Sequence, residues 1–201
     1  ALCLRNCWKA CLQISGETKG MILKDLSVTL DAAKIIDRLS FEAEGGVWAI
    51  MAPSGAGKTT LLRAIAGLIP YEGKVEGAGK VTLLFQDDRL FPWLTALDNA
   101  ALFCRDREKA TGLLEKLGLG KYADMLPCKL SGGMQRRVSI AAWLSVDGDT
   151  LLMDEPTRGL DDACAHSVMA LAREHARGKL LLFTTHSSDI AARFADGIIT
   201  L

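Results

Sequence analysis

The sequence predicts an α/β fold built on a mainly parallel sheet, with an antiparallel β edge and a helical insertion. Three observations carry this prediction. From Met21 onward, strand-like and helix-like segments alternate. A glycine-rich turn, Ser54 to Gly57, joins an apolar strand directly to a helix. Between Asp88 and Leu130 the strand pattern gives way to helical periods.

Taken in order, Ile22–Leu30 and Ile35–Glu42 read as strands of the antiparallel edge, and Val47–Met51 as a buried strand. Lys58–Leu68 reads as a helix closed by Gly67 and Pro70. Lys80–Phe85 is a further short strand. In the insertion, Leu97, Ala101 and Leu102, then Leu113, Leu114 and Leu117, recur at helical spacing. A helix at Met134–Ser145, a strand at Thr150–Met153 and a helix at Asp162–Ala176 follow. The chain then continues with a strand at Lys179–Thr184, a short helix at Asp189–Phe194 and a strand at Gly197–Leu201. Residues 1–20 show no period and read as an extension of uncertain status, with 21–201 as the single domain and 88–130 as its insertion.

With 201 residues, 49% of them apolar, the chain can bury one sizeable core. Lys plus Arg and Asp plus Glu each number 24, and this balance argues against a broad nucleic-acid footprint. No apolar run approaches the roughly 18–20 residues that span a bilayer. Any membrane connection therefore runs through a partner. The six cysteines show no C-x-x-C spacing, which suits reduced thiols in a cytosolic setting.

Ala52-Pro53-Ser54-Gly55-Ala56-Gly57-Lys58-Thr59-Thr60 lies between strand and helix, where a phosphate-binding loop belongs. Small residues let successive backbone N–H groups curl around a phosphate, and the helix N-terminus favours the anion. Lys58 is placed to reach β- and γ-phosphates, and the Thr59 hydroxyl to ligate Mg²⁺. The core is thus of the P-loop NTPase kind, with ATP and Mg²⁺ as expected ligands. Glycine is usual where this chain has Ala52, which is tolerable if φ there is negative.

Leu151-Leu152-Met153 is an apolar strand ending in Asp154 and Glu155, at the edge where α/β sheets hold ligands. Asp154 is placed to hold Mg²⁺ and Glu155 to act as general base toward water. Leu130-Ser131-Gly132-Gly133-Met134-Gln135-Arg136-Arg137 sets a serine and two glycines before a helix, another N-terminus suited to phosphate.

In this order these motifs resemble the ATP-binding subunits of ABC transporters, whose signature matches Leu130-Ser131-Gly132-Gly133. The resemblance spans Met21–Leu201. It implies that Gln86 is the glutamine that senses Mg²⁺ or the attacking water, that Gly159-Leu160-Asp161 crosses a dimer interface, and that His186 contacts the γ-phosphate. It further implies a head-to-tail homodimer that sandwiches two ATP molecules. Lys58, Thr59, Gln86, Asp154, Glu155 and His186 would come from one chain, Ser131 and Gly133 from the other. Hydrolysis would drive a membrane permease from the cytoplasmic face of the inner membrane, with a periplasmic or lipid-anchored solute-binding protein engaged indirectly.

The run from Gln86 to Asn99 resembles the nitrate, sulfonate and taurine importer group, with relatives serving thiamine or its precursors. A small anionic or thiamine-precursor-like solute is therefore expected, and Phe91, Pro92, Trp93 and Leu94 would receive the permease. The chain departs from the family in four places. These are Ala52, the absence of an adenine-stacking aromatic near Val28–Ala33, the run Ile140-Ala141-Ala142-Trp143-Leu144 after the signature, and Ser187 in place of an aspartate. Two other readings remain open, an assembly ATPase without a membrane partner and a module that binds nucleotide without hydrolysing it.

Overall fold

Alternating apolar and polar residues fold Met21–Leu30 (β1) and Ala33–Ala43 (β2) into an antiparallel pair, with Leu23 opposite Phe41 and Val28 opposite Ile36. The two residues between them, Asp31 and Ala32, have φ of 48° and 64°. Positive φ at both central positions is what a two-residue hairpin turn of type I′ requires. A third strand, Glu72–Glu76 (which becomes β4), pairs antiparallel on the other side of β1, placing Val75 opposite Leu23. The sequence reading missed this strand. Only Val75 of its five residues is even partly buried, so no alternation shows.

The computed structural model describes residues 20–201. The extension read at 1–20 therefore lies, but for Gly20, outside the described residues. Two units make up the rest: one comprises the described residues up to Leu83 with Gly148–Asp154 and Ala176–Leu201, the other Leu84–Asp147 with Glu155–His175.

The first unit holds the three-stranded sheet β2-β1-β4 and, but for the strand-end residue Leu84, a five-stranded sheet. The latter is formed by Gly46–Met51 (β3), Val81–Leu84 (β5), Thr150–Met153 (β6), Leu180–Thr184 (β7) and Gly197–Thr200 (β8), in the order β5-β6-β7-β3-β8. The pairs β6/β7, β7/β3 and β3/β8 are parallel. Every residue of β6 and β7 is buried, as expected for continuous apolar runs at the centre of a parallel sheet.

Helix α1 (Lys58–Ile65) brings Leu61, Leu62 and Ile65 into one core with Leu23, Leu26 and Val28 of β1 and with Ile50, Leu152 and Leu182. Each such leucine contributes about 2–3 kcal/mol by burial. The loop before α1 is thus anchored at its helical end. The helix stops three residues before the expected Leu68, because Gly67 takes φ 66°. Gly67 N–H bonds to Ala64 O and Leu68 N–H to Arg63 O, the two bonds of a Schellman stop. Ser188–Phe194 (α6) also belongs to this unit.

The second unit is helical. Ala96–Ala101 (α2), Arg107–Lys116 (α3), Gly132–Leu144 (α4) and Asp162–His175 (α5) pack successively on one another, α2 with α3 and α4, α4 with α5. Thr95, Asp106 and Ser131 cap the first three, each accepting a backbone N–H three residues on. Residues 88–130, all described, contain helices and no strand. Among the described residues no helix is long and apolar enough to cross a membrane.

Candidate functional site

The loop from Ala52 to Gly57 leaves the C-terminal end of β3 and enters α1. Its turn is closed by Ala56 N–H on Pro53 O at 3.3 Å, and its left-handed positions are Gly55 (φ 81°) and Gly57 (φ 91°). Ala52 is not among the non-glycine residues with positive φ, so its methyl group carries no backbone strain. Lys58 is 6% exposed, and its Nζ donates to Ala52 O at 2.8 Å and Pro53 O at 3.0 Å. The ammonium is therefore curled across its own loop, held by carbonyls that an anion can replace.

Gly57 is the one position in the loop where both conformation and space demand glycine. A Cβ there would meet Ile35 Cγ2 at 2.9 Å. Gly57→Ala is expected to cost about 1–2 kcal/mol from the left-handed backbone alone. Ile35 must also shift, and nucleotide affinity should fall with the loop's shape. Urea unfolding and a nucleotide titration check both effects. Ile35, which stands beside the loop at Gly57, is an aliphatic side chain packed on the core.

Asp154 follows β6 and is 3% exposed. Its Oδ2 accepts from Thr59 Oγ1 at 2.7 Å and its Oδ1 from Thr184 Oγ1 at 2.8 Å. Two hydroxyl donors make burial of this carboxylate tolerable. They also join the phosphate loop to the end of β6 by one short bond. A hydroxyl and a carboxylate in contact are the hard oxygen donors that Mg²⁺ takes alongside nucleotide phosphates. Among the described residues no group of three or more His, Cys, Asp or Glu forms a protein-only cage. A magnesium ion carried with a nucleotide needs none.

His186 lies exposed just beyond β7. The next residue, Ser187, caps α6 by accepting Ile190 N–H at 3.3 Å, while its own N–H bonds to Thr185 Oγ1 at 3.1 Å. Serine thus fills an N-cap role open equally to aspartate.

In the second unit, Gln86 Nε2 donates to Glu155 Oε2 at 3.2 Å. Glu155 itself has φ 45°, an uncommon conformation for a side-chain-bearing residue. Ser131 and Gly132 are exposed at the start of α4, and Ser131 Oγ accepts Met134 N–H at 3.3 Å. A Cβ on Gly133 would sit 3.2 Å from Gly159 O and 3.6 Å from Leu160 Cδ2, so the signature packs on the Gly159-Leu160-Asp161 turn. Asp161 is exposed and caps α5, its Oδ1 accepting Cys164 N–H at 2.9 Å. That backbone bond holds the Asp161 carboxyl below its ordinary pKa.

The aromatic segment is held by Asn99, 3% exposed on α2. Its Oδ1 accepts Phe91 N–H at 2.8 Å, and its Nδ2 donates to the carbonyls of Phe91, Leu94 and Thr95 at 3.0–3.2 Å. Phe91 and Trp93 meet edge to face with centroids 5.5 Å apart, and Trp93 remains 70% exposed. Arg136 stands in the signature run without a role of its own in the sequence reading, and is 2% exposed on α4. A charged residue within two turns of a helix start is ordinarily solvated, so nothing in its spacing signals burial.

The sequence profile of the family described as "ABC transporter" matches residues 36–158. The chain is 34% identical to the taurine import ATP-binding protein TauB of Pseudomonas aeruginosa (strain UCBPP-PA14), over 94% of this chain and 76% of that protein. It is 40% identical to the aliphatic sulfonates import ATP-binding protein SsuB 2 of Frankia alni, over 83% of this chain and 71% of the relative. Its fold is similar to the dimeric, post-hydrolysis structure of the ATP-binding cassette MJ0796 bound to ADP and Pi. The TM-score is 0.80 at 29% identity, covering 90% of this chain and 94% of that one.

Proposed function

Because the chain belongs to the ABC transporter family, we propose that it binds and hydrolyses ATP as the motor subunit of a membrane importer. The observation that carries the reading is the 2.7 Å bond from Thr59 to Asp154, which joins the phosphate loop to the acid strand. On this reading the loop N–H groups and Lys58 hold the β- and γ-phosphates. Thr59 and Asp154 hold Mg²⁺, with Gln86 as a further ligand. When bound, the ion neutralises charge on the phosphate oxygens.

Glu155 accepts a proton from the water that attacks the γ-phosphorus, and Gln86 orients the carboxylate through its amide. His186 contacts the γ-phosphate. Ser131, Gly132 and Gly133 serve the nucleotide of a second copy, and Asp161 lies at the interface of that homodimer. The dimeric neighbour supports the pairing of two copies.

The importer role is supported by relatives named for taurine and aliphatic sulfonate import. A sulfonate, small and anionic, is accordingly the solute class we assign, and a separate solute-binding protein would deliver it. Trp93, exposed and set edge to face against Phe91, whose backbone Asn99 holds, offers the aromatic anchor that a permease would cover at the cytoplasmic face of the inner membrane. The test is phosphate release by purified protein with Mg²⁺, with and without co-expressed permease. Turnover that stops on chelation and rises with permease is expected. ATP binding without turnover in either condition would overturn the motor reading.

A further inference from the structure

Arg136 is a buried guanidinium with no role in the scheme above, yet it contacts both segments that carry the scheme's proton chemistry. Nη1 donates to Phe85 O at 2.7 Å, Gln86 O at 3.2 Å and Asp88 Oδ1 at 3.2 Å. On the other side, Nη2 donates to Glu155 O at 2.9 Å and Nε to Pro156 O at 3.3 Å. One planar fork therefore ties the backbone of Gln86 to the backbone of Glu155. The same residues meet through their side chains at 3.2 Å.

Glu155 gives the fork its meaning. A non-glycine residue at φ 45° persists only where its surroundings over-determine it, and here the carbonyls of Glu155 and Pro156 are both held by Arg136. Were this backbone to relax, the carboxylate would swing away from Gln86. Arg136 also stands on the helix that Ser131 caps, so the two segments are tied to the signature helix as well as to each other.

We propose that Arg136 is a positioning residue for ATP hydrolysis, fixing Glu155 against Gln86 without touching the nucleotide. This rests on the ATPase reading, and the experiment is chosen to separate the two. Arg136→Lys keeps the charge, but a point-like ammonium cannot reproduce the planar, forked set of bonds. Arg136→Gln, neutral and shorter, is the second variant. Hydrogen–deuterium exchange is followed in peptides covering 85–88 and 154–157, alongside ATP binding and turnover.

Exchange at both segments should accelerate on the order of tenfold in at least one variant that retains a cooperative melt. In the same variant kcat should fall by about tenfold to a hundredfold, with ATP affinity within about threefold of wild type. Unchanged exchange at either segment, unchanged kcat, or a loss of affinity matching the loss of turnover would overturn the proposal. So would failure of both variants to fold, which would mark Arg136 as a core contact only. A wild type that binds ATP but does not turn it over would count against the hydrolysis reading instead, and exchange alone would then decide the positioning role.

Discussion

Glu155→Gln is expected to lower ATP turnover at least about a hundredfold while leaving ATP binding intact. The substitution is nearly isosteric, and the amide oxygen of glutamine can still accept the bond that Gln86 Nε2 donates at 3.2 Å. The backbone bonds to the carbonyls of Glu155 and Pro156 do not involve the side chain at all. What is lost is the basicity needed to take a proton from water. The bound ATP then has no route forward, so two chains should accumulate as an ATP-locked dimer, visible by size-exclusion chromatography. Turnover retained at wild-type rate would place the base elsewhere, and His186, exposed beyond β7, would be the next group to substitute.

The phosphate loop and the acid strand were legible in the sequence because their chemistry is written in residue types. Gly57 must be glycine for its φ of 91° and for the space that Ile35 leaves, and a sequence shows glycine directly. The all-apolar strands β6 and β7 announce themselves in the same way. Strand β4 did not, because all of its residues but Val75 are exposed and its pairing with β1 is decided by backbone bonds between segments far apart in the chain. Gly67 was legible as the residue that closes the helix, but apolar continuity through Ala66 and Leu68 extends the apparent helix past Ile65, where the backbone of Gly67 ends it. Arg136 was illegible because long-range partners, not neighbours in sequence, determine its burial. The consequence of Ala52 could only be read from its φ.

Lys58→Ala should separate binding from turnover in the opposite sense to Glu155→Gln. In the structure the ammonium bonds to the carbonyls of Ala52 and Pro53 at 2.8 and 3.0 Å. Neither of those residues is buried, so water can replace the lysine at both oxygens. The loss in folding stability should therefore stay near 1 kcal/mol, a change of a few degrees in melting temperature. ATP binding loses more. A hydrogen bond to a charged group is worth about 1.5–3 kcal/mol, which corresponds to roughly a tenfold to hundredfold weaker dissociation constant. A fluorescent nucleotide titration beside a thermal melt measures both quantities on one sample. Lys58→Arg should recover little, because a guanidinium is too broad to take the position that a single ammonium holds between two loop carbonyls. If Lys58→Ala bound ATP as tightly as wild type, the loop amides alone would carry the phosphates, and the lysine's place across the loop would be purely structural.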